Sequence, residues 1–194
     1  EAALDRLDDG DGVEVVWRAF QLDPSAGPEP GDLRGAIERK YGPGSFEAMT
    51  ARLGTLGPEV GIEYRFDRAQ RVNTFDAHRL MSWALRSGPA AQSALGNRLF
   101  RAYFTDGENV ADHDTLRRCA GESGLPADEA GEVLADGSFA DEVTRDLAAA
   151  AERGITAVPT FVVAGRFAIP GAQDVDTMAS LLQRAADRLT DAPG

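Results

Sequence analysis

Val158-Pro159-Thr160, at the mouth of an apolar run, is the tripeptide whose residue types carry the most chemistry. Proline has no N–H to give to a ladder, so it belongs at a strand start or an edge. A cis bond there exposes the Val158 backbone for pairing with an extended segment of a substrate, whereas an ordinary trans proline simply begins the strand. Cys119 is the single cysteine, so no disulfide forms within the sequence. It shares an i,i+3 face with Leu116 and reads as a buried packing thiol, although Arg117 and Arg118 would favour its thiolate if it were exposed. His78 sits beside the stripe of Ala77, Leu80 and Met81 and reads as a helix histidine with a local partner. His113, between Asp112 and Asp114, reads as a solvated helix-start residue. The two histidines and the cysteine lack ligand spacing, which argues against a zinc site.

The elements that must position these residues follow from periodicity. Val13–Phe20 alternates Val13, Val15, Trp17 and Ala19 on one face, with Val16 and Phe20 apolar on the other; this predicts a buried strand with Trp17 in the core. Pro24, Pro28 and Pro30 then impose a loop. From Asp32 to about Gly137 the pattern is helical: Leu33, Ile37 and Tyr41 are spaced by four, and Ser45 is placed to cap the next helix. Ile62–Phe66 reads as a short extended piece. Asn73 or Thr74 caps a helix through Leu85, and further helices are predicted near 90–105, 113–123 and 126–135. Ser138 with Asp141 looks like a capping box for a helix ending at Arg153-Gly154. Ile155–Val163 and Arg166–Ile169 read as a hairpin turning at Ala164-Gly165, and Asp174 caps a last helix. The opening residues, Glu1–Leu7, carry no initiator Met and read as the end of a helix stopped by the Asp8–Gly12 run, which predicts a segment upstream.

Length and composition bound the function. The 194 residues are 43% hydrophobic and 27% charged, which fits a globular protein with a sizeable core and excludes a disordered or disulfide-stapled chain. Acidic residues outnumber basic ones 32 to 20, for a net charge of -12. Such a surface repels phosphate, so neither nucleic acid nor an anionic membrane is expected as a partner. No apolar run approaches the ~20 residues that span a bilayer. The clusters Asp8–Asp11 and Asp128–Glu129 read as solvated charge.

A strand and a hairpin far apart in sequence bury their faces most simply in one sheet, with the helical block inserted between them. That order fits a thioredoxin-like α/β fold with a large helical insertion, divided into a discontinuous domain of residues 1–24 and 138–194 and an inserted domain of 25–137.

A family resemblance supports this reading. The run Gly154-Ile-Thr-Ala-Val-Pro-Thr-Phe-Val-Val-Ala-Gly-Arg-Phe-Ala-Ile-Pro-Gly-Ala-Gln173 resembles the cis-proline loop and closing hairpin of DsbA-family proteins, and its Gly-Ala-Gln end resembles the FrnE-like branch. Trp17-Arg-Ala-Phe-Gln-Leu-Asp-Pro24, Asn73-Thr-Phe-Asp-Ala-His-Arg-Leu80 and Ala102-Tyr-Phe-Thr-Asp-Gly107 resemble motifs of the same branch in the same order. Ala157 departs from it, since relatives often carry Gly there. The resemblance implies a cytoplasmic protein thiol-disulfide oxidoreductase acting on a thiol or disulfide substrate, whose Cys-x-x-Cys stands before Glu1. No catalytic residue then lies within residues 1–194. Val158, Pro159 and Thr160 would bind substrate, Thr160 tuning the thiolate, and His78 is a candidate for lining the groove. No cofactor is implied, and glutathione is a candidate co-substrate. Two alternatives stand beside it: a glutathione-dependent isomerase or transferase resembling 2-hydroxychromene-2-carboxylate isomerase, and a redox-inactive module that holds an extended peptide. The oligomeric state is left open.

Overall fold

In the computed structural model, which describes residues 2–7 and 12–190, helical periodicity is realised from residue 33 to residue 152. The acidic cluster Asp8–Asp11 lies outside the described residues. The chain divides into two units, one made of the segments up to Val15 and from Ala148 onward, the other running from Val16 to Leu147. The divisions fall at 15/16 and 147/148, where the sequence reading places 24/25 and 137/138. The physical reason is local, because Trp17 and Ala19 are hydrogen-bonded to Gln92 and Asp146 and so go with the helices.

The helical unit begins with α1 (Leu33–Tyr41), whose first turn is closed by Asp32 Oδ1 accepting from the Gly35 N–H at 2.9 Å. In α2 (Ser45–Leu56) the cap position is Gly44, in the left-handed region at φ 77. Ser45 is already helical and its buried hydroxyl has no hydrogen-bond partner, so the expected Ser45 cap is corrected. Ile62–Phe66 joins no ladder among the described residues; it is held by the Arg65 N–H, which donates to the Phe104 carbonyl at 2.7 Å, and by Tyr64 stacked on Phe66. For α3 (Phe75–Ala84) the cap is Asn73, whose Oδ1 accepts from the Phe75 N–H at 2.8 Å, while the Thr74 side chain makes no capping bond. Helix α4 (Pro89–Arg101) starts on proline, which costs it no hydrogen bond at that position, and runs into a π-helical turn at Ala102–Asp106. That turn ends at Gly107, where a Cβ would fall 2.4 Å from the Arg68 Cβ.

Next come α5 (His113–Glu122), capped by Asp112 accepting from the Thr115 N–H at 2.8 Å, and α6 (Ala127–Asp136). Leu80, Leu95, Leu116, Cys119 and Ala130, from four of these helices, are fully buried in one cluster. Each buried leucine contributes about 1.5–3 kcal/mol. A capping box does not open α7 (Ala140–Glu152). The Ser138 N–H instead donates to Asp136 Oδ1, and its carbonyl accepts from Arg79 Nε at 2.8 Å. Phe139, at a positive φ of 65, supplies the carbonyl that receives the Val143 N–H.

The second unit carries the C-terminal end of α7, which stops in a two-bond reverse motif. Ile155 N–H donates to the Ala150 carbonyl and Gly154 N–H to that of Ala151, with Gly154 at φ 66. Strands β1 (Thr160–Val163) and β2 (Phe167–Pro170) pair antiparallel, Thr160 against Pro170 and Val163 against Phe167. Ala164 and Gly165 both take positive φ at the turn, matching the right-handed twist of the flanking strands. Helix α8 (Val175–Thr190) is capped by Asp174, which accepts from both the N–H and the hydroxyl of Thr177. Met178 and Ala185 are its buried residues, and Ile169 is the buried residue of β2. The opening turn, Leu4–Arg6, is a single turn of 3-10 helix rather than an α-helical tail.

The largest departure concerns residues 13–20, expected to be a buried strand. No ladder among the described residues includes them, and Val13, Val15 and Trp17 are exposed. Trp17 is 42% accessible and packs edge-to-face on Phe100 at 5.8 Å, so it is not a core residue. A strand is defined by its neighbour, and the described residues give this one none; its polar groups go to side chains instead.

Candidate functional site

The residues singled out by sequence fall into both units. In the β1–β2 unit, Val158, Pro159 and Thr160 lead into β1. The Val158-Pro159 peptide bond is cis. The Pro159 carbonyl accepts from the Gly171 N–H at 2.8 Å, one step beyond the last ladder pair, which anchors the loop to the end of β2. Thr160 Oγ1 donates to the Ala157 carbonyl at 2.8 Å, so its hydroxyl is engaged within the loop. Val158 has no such tie and remains 46% exposed, with Phe161 and Val162 of β1 nearly as open. The loop is therefore a firmly held backbone with an apolar side chain presented to solvent, which suits contact with an extended polypeptide.

In the helical unit His78 projects from α3, half-buried, with Nε2 3.1 Å from the Phe20 carbonyl. A carbonyl only accepts, so Nε2 carries the hydrogen. Burial pushes the His78 pKa below its ordinary value, and the Phe20 bond and the Asp146 charge offset this only in part. His78 thus supports the segment before the first proline loop through a neutral ring.

His113 is the exposed first residue of α5, as its sequence position suggests, and it has a partner. Its Nε2 lies 2.7 Å from Asp76 Oδ2, and Arg79 Nη1 donates to Asp76 Oδ1 at 2.7 Å. Burial tends to raise the Asp76 pKa, but the bonds from Arg79 and His113 outweigh it and hold the carboxyl below its usual range. Sequence reasoning missed Arg79. The signal was present as the spacing Asp76-x-x-Arg79, yet nothing local shows that this arginine turns inward.

Cys119 is fully buried. Burial raises its thiol pKa, more than the nearby Arg98 and Arg118 lower it, so the protonated, unreactive form prevails. A cleft of about 520 Å³ on the helical unit is lined by Asp32, Arg34, Phe46, Phe66 and Asp67. Its charges are committed: Asp32 to the first turn of α1, Arg34 to Glu47 and Asp67 to Arg65. Among the described residues no three His, Cys, Asp or Glu side chains gather where they could hold a metal.

Three comparisons bear on this arrangement. The family model described as a DSBA-like thioredoxin domain matches residues 1–183. The crystal structure of a probable DsbA oxidoreductase from Streptomyces coelicolor superposes with a TM-score of 0.86 at 34% identity, covering 99% of this chain and 82% of that one. The uncharacterized protein YwbO of Bacillus subtilis (strain 168) is 29% identical over 178 residues, 91% of this chain and 84% of its own length. The two short strands and the long helical insertion are those of a thioredoxin-like DsbA fold. The chain belongs to the family of DSBA-like thioredoxin domains.

Proposed function

We propose that the protein is a DsbA-type thiol-disulfide oxidoreductase whose redox cysteine pair lies in residues preceding Glu1. The observation that carries this reading is the likeness, over 99% of the chain at 34% identity, to a protein described as a probable DsbA oxidoreductase. The state of Cys119 supports the location of the sulfurs, because a buried thiol with a raised pKa is a poor nucleophile. In the reaction, one thiolate of the pair attacks a substrate disulfide and releases a substrate thiolate; the second thiolate then attacks the mixed disulfide. Two electrons pass to the substrate, which takes up two protons as its second thiol leaves, and the pair ends as a disulfide. The reverse sequence oxidises a substrate dithiol. Val158, exposed beside the Pro159 loop, contacts the substrate chain, and Thr160 holds that loop. We assign the protein to the FrnE-like branch and to the cytoplasm on the motif resemblance; no helix among the described residues is long and apolar enough to cross a membrane.

The test uses the protein with its upstream residues. Dithiol-dependent reduction of a model disulfide is expected from that protein and not from residues 1–194. A gene whose codons before Glu1 specify no cysteine pair overturns the reading.

A further inference from the structure

The main chain of residues 16–20 is dressed by side chains in the way a strand is dressed by a neighbouring strand. Gln92, on α4, is only 1% exposed. Its Oε1 accepts from the Trp17 N–H at 2.9 Å and its Nε2 donates to the Trp17 carbonyl at 3.1 Å. A hydrogen-bonded residue pair in an antiparallel ladder makes the same exchange, one N–H and one C=O on each side. A carboxamide carries that donor and acceptor on one planar carbon, so Gln92 reproduces it. Two residues on, the Ala19 N–H donates to Asp146 Oδ2 at 3.0 Å. Backbone groups two residues apart in a strand face the same edge, and here both are taken. Of the residues that face the other edge, Val16 and Arg18 have no main-chain hydrogen-bond partner among the described residues, while the Phe20 carbonyl accepts from His78 Nε2.

Nothing about packing requires an amide at position 92. It lies on the same helix as the buried Leu95 and Leu99, where a leucine would fill the space, and burying an amide costs free energy unless its hydrogen bonds are made. They are all made, the second Nε2 hydrogen going to the Met81 carbonyl at 3.0 Å.

We propose that Gln92 and Asp146 are edge caps. They occupy the Trp17/Ala19 edge of this segment and so prevent it from pairing, main chain to main chain, with a second copy of the protein. Natural proteins protect exposed edges by covering them or by turning polar side chains onto them.

Residue-resolved amide exchange on the full protein tests the assignment, with Arg18 as internal reference. Gln92→Leu is expected to speed exchange of the Trp17 amide about tenfold and leave Ala19 unchanged; Asp146→Leu does the reverse. Asp146→Asn, which keeps an acceptor for the Ala19 N–H, preserves its protection, an effect that general loosening would not give. Gln92→Leu combined with Asp146→Leu is expected to sediment as a larger, concentration-dependent species than the wild type. Equal acceleration of Trp17, Ala19 and Arg18 in either single variant, or no acceleration, overturns the caps. A double variant with wild-type sedimentation overturns their role against self-association.

Discussion

Arg79 Nη1 donates to Asp76 Oδ1 at 2.7 Å within one turn of α3, and the same guanidinium reaches the last carbonyls of α6. Only 4% exposed, Arg79 bonds the carbonyls of Val133 and Leu134, which a helix end leaves without partners, and that of Ser138 just beyond it. One buried fork therefore stitches α6 to α3, and through Asp76 to His113 at the start of α5.

Removing that fork is expected to be costly. Arg79→Met strands three carbonyls and a partly buried carboxylate, a loss of about 3–5 kcal/mol. Arg79→Lys recovers little, since one ammonium cannot span the same carbonyls. Urea unfolding measures both, and an unchanged midpoint for Arg79→Met contradicts the assignment.

Cys119 is expected to resist alkylation in the folded protein and to react on unfolding, because its thiol is buried and held protonated. Cys119→Ala should leave disulfide exchange by the full protein intact while lowering stability by about 1 kcal/mol. Rapid labelling under native conditions would show the site is open.

Stability should fall with pH through His78. Its folded pKa lies below the unfolded value of about 6.5, so the unfolded chain takes up the proton first. The contribution is complete above that value and is lost as pH drops from about 6.5 toward the folded pKa. His78→Gln, which can still donate to Phe20 without titrating, is expected to flatten this part of the profile. Parallel wild-type and variant curves over that range would remove His78 as the cause.

Tyr103 donates its hydroxyl to the Gln70 carbonyl at 2.7 Å, and burial pushes its pKa up to about 12. Tyr103→Phe deletes that bond without leaving a void and should cost about 0.5–1.5 kcal/mol, with the tyrosine absorbance change at high pH reduced accordingly.

Val158 is open to solvent, so Val158→Gln should change stability by less than about 0.5 kcal/mol. In the full protein it is expected to raise KM for a polypeptide disulfide while kcat changes little. An unaltered KM removes Val158 from the substrate contact.

Local pattern alone determined the helices and their stripes. Leu80 and Leu116 are the inward residues their spacing demands, and Asp174 caps α8 because its short carboxylate reaches a free N–H within its own turn. The hairpin and its turn at Ala164-Gly165 were equally legible, although β1 begins at Thr160 rather than Ile155 and β2 runs through Pro170. These signals act over a few positions, so the sequence carries them whole. The roles of Gln92, Asp146 and Arg79 belonged to the tertiary structure, as did the absence, among the described residues, of a ladder for residues 13–20. A polar side chain turns inward only where distant backbone groups need a partner, and Trp17 and Gln92 are separated by 75 positions along the chain. A β-like run likewise becomes a strand only when another main chain lies beside it, a condition that no property of the run itself can supply.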